Sequence, residues 1–229
     1  MHFSELHGWD LSSREAIALQ KRLAGQISLQ EDLPPLLKTV AGVDVSYQRH
    51  GELFFAAVVV LCLPDLTVVE QVTACRRTTF PYVPGLLSFR ELPVVLEAFR
   101  CLQQIPDAVL VDGQGIAHPR RLGLASHLGL WLDLPTVGCA KSRLCGEHGI
   151  VGGQRGDRVP LLLDGDEIGA VLTTRSGVKP LYISPGHKIS VQSAVQLSLQ
   201  CGGRYRLPEP TRLAHHLANC ARQAREGQD

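Results

Sequence analysis

Several features are scarce in this sequence, and each scarcity closes off a class of protein. Its 229 residues carry 23 basic and 22 acidic side chains, a net charge of +1, so no field of one sign covers the surface. A nucleic acid would have to be held by a local basic face. Long apolar runs are missing too: the longest, Leu53 to Leu63, falls well short of the roughly 20 residues that span a bilayer. No basic-then-apolar leader precedes Leu11, and the expectation is a soluble cytoplasmic protein with no membrane partner. The seven cysteines are odd in number and form no CxxC pair, so no disulfide framework is expected. Most sit in apolar runs such as Val60-Leu-Cys-Leu63 and read as buried, reduced thiols. Phosphate-loop signatures are lacking: there is no GxxxxGK[ST], and Gly113-Gln-Gly115 wants the third glycine of a dinucleotide loop.

What the sequence has is a sizeable core and a legible order of elements. With 45% hydrophobic residues and no linker-like stretch, residues 1–229 read as one domain. Ser12 or Ser13 can cap a helix with Ala16, Leu19, Leu23 and Ile27 on one face, ending before Pro34-Pro35. Strand-like runs follow at Thr39 to Tyr47, Glu52 to Cys62 and Thr67 to Cys75, with turns at His50-Gly51 and Leu63-Pro-Asp65. Next come a helix near Glu91, a strand ending at Asp112, a helix after Pro119 and a strand at Thr136 to Ala140. A hairpin over Leu161 to Thr174, a strand at Leu181 to Ser184, and helices after Ser190 and Pro210 complete the order. An antiparallel meander followed by alternating helices and strands is the plan of an α/β, ribonuclease H-like mixed sheet flanked by helices. In that plan the first and fourth strands are neighbours, which brings Asp44 and Asp112 together at carboxyl ends, where open α/β sheets bind ligands.

These two aspartates interrupt β-branched, apolar segments, Val40-Ala-Gly-Val-Asp-Val-Ser46 and Ala108-Val-Leu-Val-Asp-Gly-Gln114. Burying a carboxylate is costly unless a cation neutralises it, and a divalent metal between two strands meets that need. Either residue alone is ordinary turn chemistry. Glu91, at the start of a helical pattern carrying Leu92, Val95, Leu96 and Phe99, adds a third acid.

The blocks that carry these acids resemble the endonuclease V family. They are Ala41-Gly-Val-Asp-Val-Ser46, Thr79-Phe-Pro-Tyr-Val-Pro-Gly-Leu-Leu-Ser-Phe-Arg-Glu91, Val111-Asp-Gly-Gln-Gly-Ile-Ala-His-Pro-Arg-Arg-Leu-Gly123, Pro135-Thr-Val-Gly-Cys-Ala-Lys141, Ser184-Pro-Gly-His-Lys-Ile-Ser190 and Pro208-Glu-Pro-Thr-Arg-Leu-Ala-His215. The resemblance implies a metal-dependent endonuclease; Mg²⁺ is the expected metal, with Mn²⁺ able to substitute, and a monomer the expected state. It would recognise hypoxanthine, that is deoxyinosine in DNA, and cut 3′ to it in DNA repair. An endoribonuclease acting on inosine in RNA and a noncatalytic inosine-binding protein are the rivals, and retention of all three acids weighs against the second.

By the family pattern Asp44, Glu91 and Asp112 match the metal carboxylates, Lys141 a lysine near the scissile phosphate, and His215 the site histidine, with His216 as the competing assignment. Pro81-Tyr-Val-Pro84, carrying Tyr82 and Val83, resembles a strand-separating wedge, and two prolines would hold it rigid. Gly85, Gly113, Gly123 and Gly138 are expected in loops that let backbone approach a flipped base, with Leu87 and Leu124 lining the pocket. Without the resemblance these glycines are turns and the wedge a Pro-rich turn. Arg76-Arg77, His118 with Arg120-Arg121, Lys141-Ser-Arg143 and His187-Lys188 flank these loops as a local phosphate-binding face, while Arg222 and Arg225 read as solubility charges.

Overall fold

The computed structural model describes residues 1–48 and 51–227. Eight strands, β1 (Thr39–Tyr47), β2 (Leu53–Cys62), β3 (Thr67–Arg77), β4 (Ala108–Val111), β5 (Thr136–Ala140), β6 (Arg158–Leu163), β7 (Asp166–Leu172) and β8 (Leu181–His187), form one sheet in the order β3-β2-β1-β4-β5-β8-β7-β6. β1, β2 and β3 are the expected antiparallel meander, and β4 runs parallel to β1. The ribonuclease H-like plan is therefore present. His50, expected in the first turn, lies outside the described residues.

Side-chain alternation decides which face each strand residue joins. Ala41, Val43, Val109 and Val111 pack under α2 (Leu87–Cys101) and α3 (Leu124–Leu132). Val40, Ala108 and Leu110 point the other way, to α4 (Val191–Gln200) and α5 (Glu209–Glu226). Asp44 continues the even-numbered set of β1, and Asp112 that of β4. Gly42 is what brings α5 close: a Cβ there would collide with the backbone of Pro210.

Several boundaries differ from expectation. α1 (Ser13–Ala24) starts with the Ser12–Glu15 capping box but stops at Gly25, ten residues before Pro35, because that glycine caps the helix even though the apolar spacing continues to Ile27. α3 starts at Leu124 rather than just past Pro119, and α5 starts ahead of Pro210, whose missing N–H costs nothing in a first turn. The hairpin runs over 158–172, and β8 continues to His187. All seven thiols are free, but only Cys139 and Cys201 are buried; Cys75, Cys101 and Cys220 are exposed on β3, α2 and α5. Among the described residues no helix is long and apolar enough to cross a membrane.

Candidate active site

Asp44 and Asp112 face each other where β4 ends and β1 continues. Val43 pairs with Val111, and the Asp112 N–H donates to the Val43 carbonyl at 3.2 Å. Asp44 therefore lies within its strand rather than at its end, with Asp112 just past the end of its own. α5 brings His215 across, so that ligand atoms of Asp44, Asp112 and His215 lie within 4.8 Å of one another. His215 Nδ1 is 2.5 Å from Asp44 Oδ2, and Lys141, one residue beyond β5, pairs with Asp112 Oδ2. His216 contacts Cys220 instead, so His215 is the histidine that reaches the acids.

Burial, with the neighbouring Asp112 charge second, pushes the Asp44 carboxyl up to about 6. Glu91 is the fifth residue of α2 rather than a first-turn acid, and it is 7% exposed. Burial, then the Asp44 and Asp112 charges, push it up to about 8, with Arg90 opposing. It belongs to α2, which packs on the opposite face of the sheet from α5, and it is not one of the three residues whose ligand atoms cluster. Acids this close are mutually destabilising, so the donor set fits a divalent cation.

Beside these acids lies a cavity of about 180 Å³, lined by Tyr82 to Gly85, Leu87, Ser88, Gln114, His118, Leu122 to Leu124, Gln20 and Leu144. Gly85 adopts φ +79°, a conformation glycine takes without strain. Its carbonyl accepts from Gln20 Nε2 at 3.0 Å, Arg120 Nη2 at 2.8 Å and His118 at 3.1 Å. Tyr82 is 68% exposed, so it is not a core tyrosine. Pro81, Gly113 and Gly138 do not line the cavity. Gly138 is in β5 rather than a loop, where a Cβ would strike the backbone of residues 113–115; Gly113 lies 3.3 Å from Leu124 by the same measure.

The anticipated basic face is largely spoken for. Arg76 pairs with Glu97 and Arg77 with Glu52, Arg121 with Asp166, and Lys188 with Asp32 and Asp133. His118 is buried and its pKa is pushed down to about 4, by burial first and then by Arg120. Arg143 forms no ion pair among the described residues. Arg222 is no mere solubility charge, since it donates to Ser46 at 3.0 Å and pairs with Glu226. Reading the sequence alone missed Gln20, Ser88, Gln114, Leu122 and Leu144 as cavity residues. The one local signal was Leu144, an apolar side chain directly after the polar stretch Lys141-Ser-Arg143.

Two adjacent aspartates whose donor set, with His215, fits a divalent cation, next to a cavity on a ribonuclease H-like sheet, are the arrangement of a metal-dependent nuclease. The endonuclease V family model matches residues 21–216. Endonuclease V of Nostoc punctiforme is 50% identical over 219 residues, 96% of this chain and 99% of that one. The crystal structure of endonuclease V from Streptomyces avermitilis has a TM-score of 0.90 at 43% identity, covering 97% of each chain. That of Ciona intestinalis endonuclease V, in complex with a 23mer DNA containing an inosine followed by a ribo-adenosine, has a TM-score of 0.82 at 25% identity, covering 93% of this chain and 99% of that one. The chain belongs to the endonuclease V family.

Proposed function

We propose that this protein binds hypoxanthine, presented as deoxyinosine in DNA, in the cavity and hydrolyses a phosphodiester 3′ to it at the Asp44–Asp112 centre, using Mg²⁺ or, in its place, Mn²⁺. The observation that carries this reading is continuity: Asp112 belongs to the acidic cluster, and Gln114, two residues on, lines the cavity. A base held in one is thus tied to a phosphate at the other. The relative bound to inosine-containing DNA supports the same substrate.

Asp44 and Asp112 would hold the cation, with Glu91 supporting from the opposite face. When bound, the divalent ion supplies Lewis acidity at the phosphate and lowers the pKa of a water. His215 accepts from Asn219 at Nε2 (3.1 Å), so its proton sits on Nδ1 and donates to Asp44, orienting that carboxylate. Lys141, released from Asp112, offers a compact cation to the charge that develops on phosphate. Exposed Tyr82, between Pro81 and Pro84, fills the stack that the base vacates, with Val83 bracing it on the core. Gly85, Leu87, Gly123 and Leu124 wall the cavity, while Gly113 and Gly138 let the 113–115 segment pack behind it.

The unbroken eight-stranded sheet supports a single domain over 1–229, and seven free thiols suit the reducing cytoplasm. We assign a monomer. A ribonucleotide after the inosine in the Ciona complex favours a second reading, cleavage of inosine in RNA. The deciding experiment is cleavage of single- and double-stranded DNA and RNA carrying one inosine, with Mg²⁺, Mn²⁺ and Ca²⁺ compared. Cutting 3′ to inosine with Mg²⁺ is expected. No cutting of any inosine substrate with either Mg²⁺ or Mn²⁺ would overturn the reading.

A further inference from the structure

Resting on the reading that the cavity receives hypoxanthine, we propose that Ser88 is a specificity-determining acceptor in its wall, locked into that role by a His7–His127 relay. A serine hydroxyl normally rotates to donate or accept, so it cannot tell a donor from an acceptor on a ligand. With both imidazoles of the relay neutral, each hydrogen bond along it has one direction.

His7 Nδ1 lies 2.7 Å from the Gly8 carbonyl, which can only accept, so the proton of neutral His7 is on Nδ1 and Nε2 is bare. His127 Nε2, 2.8 Å away, must then carry the proton that fills that contact. His127 is wholly buried, and burial holds its pKa well below the ordinary histidine range; burial also lowers that of His7, opposed by the hydrogen bond to the Gly8 carbonyl and joined by a smaller push from Arg22. With both rings neutral, His127 Nδ1 is bare and accepts the Ser88 hydroxyl proton at 3.0 Å. The single proton of Ser88 is thereby committed. Only lone pairs remain on an oxygen whose residue lines the cavity.

The relay cannot easily turn. The His7 ring sits 4.6 Å from Trp9 and 5.2 Å from Trp131, and the two indoles stack on each other at 5.3 Å. The Met1 ammonium fastens the same strap by donating to the Leu102 carbonyl at 2.6 Å. Residues 1–9, which supply His7, precede the stretch matched by the family model.

Hypoxanthine joined to its sugar carries a single N–H, at N1, whereas adenine has a lone pair there. An oxygen able only to accept gains a hydrogen bond from the first and meets lone-pair repulsion from the second. The lock thus turns an indifferent hydroxyl into a discriminating one.

The test is affinity, with Ca²⁺ present, for single-stranded DNA oligonucleotides carrying one central inosine, adenine or unsubstituted purine. Wild type should prefer inosine to purine, and Ser88→Ala and His127→Phe should each shrink that preference about five- to tenfold, the contribution of one neutral hydrogen bond. The two variants should reach it from opposite sides. Ser88→Ala should weaken inosine, whereas His127→Phe frees the hydroxyl to donate and should tighten purine. A purely structural role would weaken all three oligonucleotides together, leave the preference unchanged, and overturn the assignment. Should His127→Phe fail to fold, ¹⁵N NMR of the wild-type ring decides: a proton on Nε2 of His127 is expected, and one on Nδ1 overturns it. A wild-type preference of one would overturn the cavity reading itself.

Discussion

The acidic edge and the base cavity meet within three residues, yet they are built in opposite ways. The edge comes from strand parity: two short segments, each with an aspartate at an even-numbered place, fix Asp44 and Asp112 on one face with little help from elsewhere. The cavity is assembled from α1, the wedge loop, α2 and the 112–124 and 141–145 segments, and is held by hydrogen bonds between groups far apart in the chain. Charge organises the first and donor–acceptor direction the second. Chemistry and recognition should therefore be separable by mutation.

The largest effect belongs to the edge. Asp44→Ala should cut the single-turnover cleavage rate with Mg²⁺ by at least about a thousandfold. A rate near wild type would remove Asp44 from the metal centre. Next, Gly113→Val should weaken inosine binding by about a hundredfold while the protein stays folded, because added bulk meets Leu124 at the cavity wall. Titrating an inosine oligonucleotide in Ca²⁺, alongside a melting curve, checks both halves of that statement.

Smaller still is the wedge. Tyr82→Ala should weaken binding to inosine-containing duplex by about tenfold, since the ring no longer offsets unstacking, and single strands by less. Equal losses on both substrates would make Pro81 to Pro84 a simple turn. The smallest effect is on stability. His118 is neutral when folded, with its pKa at about 4, but protonates near the ordinary 6.5 when unfolded. Its contribution is thus intact above about 6.5 and is lost as pH falls toward 4. Opposing shifts at Asp44 and Glu91 act in the same range, so the comparison is with His118→Gln, whose melting temperature should fall less steeply between pH 6.5 and 4.5.

How much could be read from the sequence follows the same division. Asp44, Asp112 and their adjacency were legible because alternation and strand order fix them locally, and Lys141 and His215 came with the family blocks. The cavity's Gln20 and Ser88 were not, since a buried glutamine on α1 and a serine in α2 become functional only through partners about 65 and 39 residues away. The basic face misled for a related reason: adjacent cations look free in a sequence, while Glu97, Glu52, Asp166 and Asp133 meet them only in the fold.

The most direct test of separability uses the residue at the junction. Asp112→Asn keeps shape and backbone next to Gly113 but removes the charge, and one preparation can be measured for inosine affinity and for Mg²⁺-dependent cutting. Cleavage should fall at least about a thousandfold, with affinity for inosine-containing single-stranded DNA within about threefold of wild type. Affinity falling in step with cleavage, or cutting that persists within about tenfold of wild type, would contradict separability.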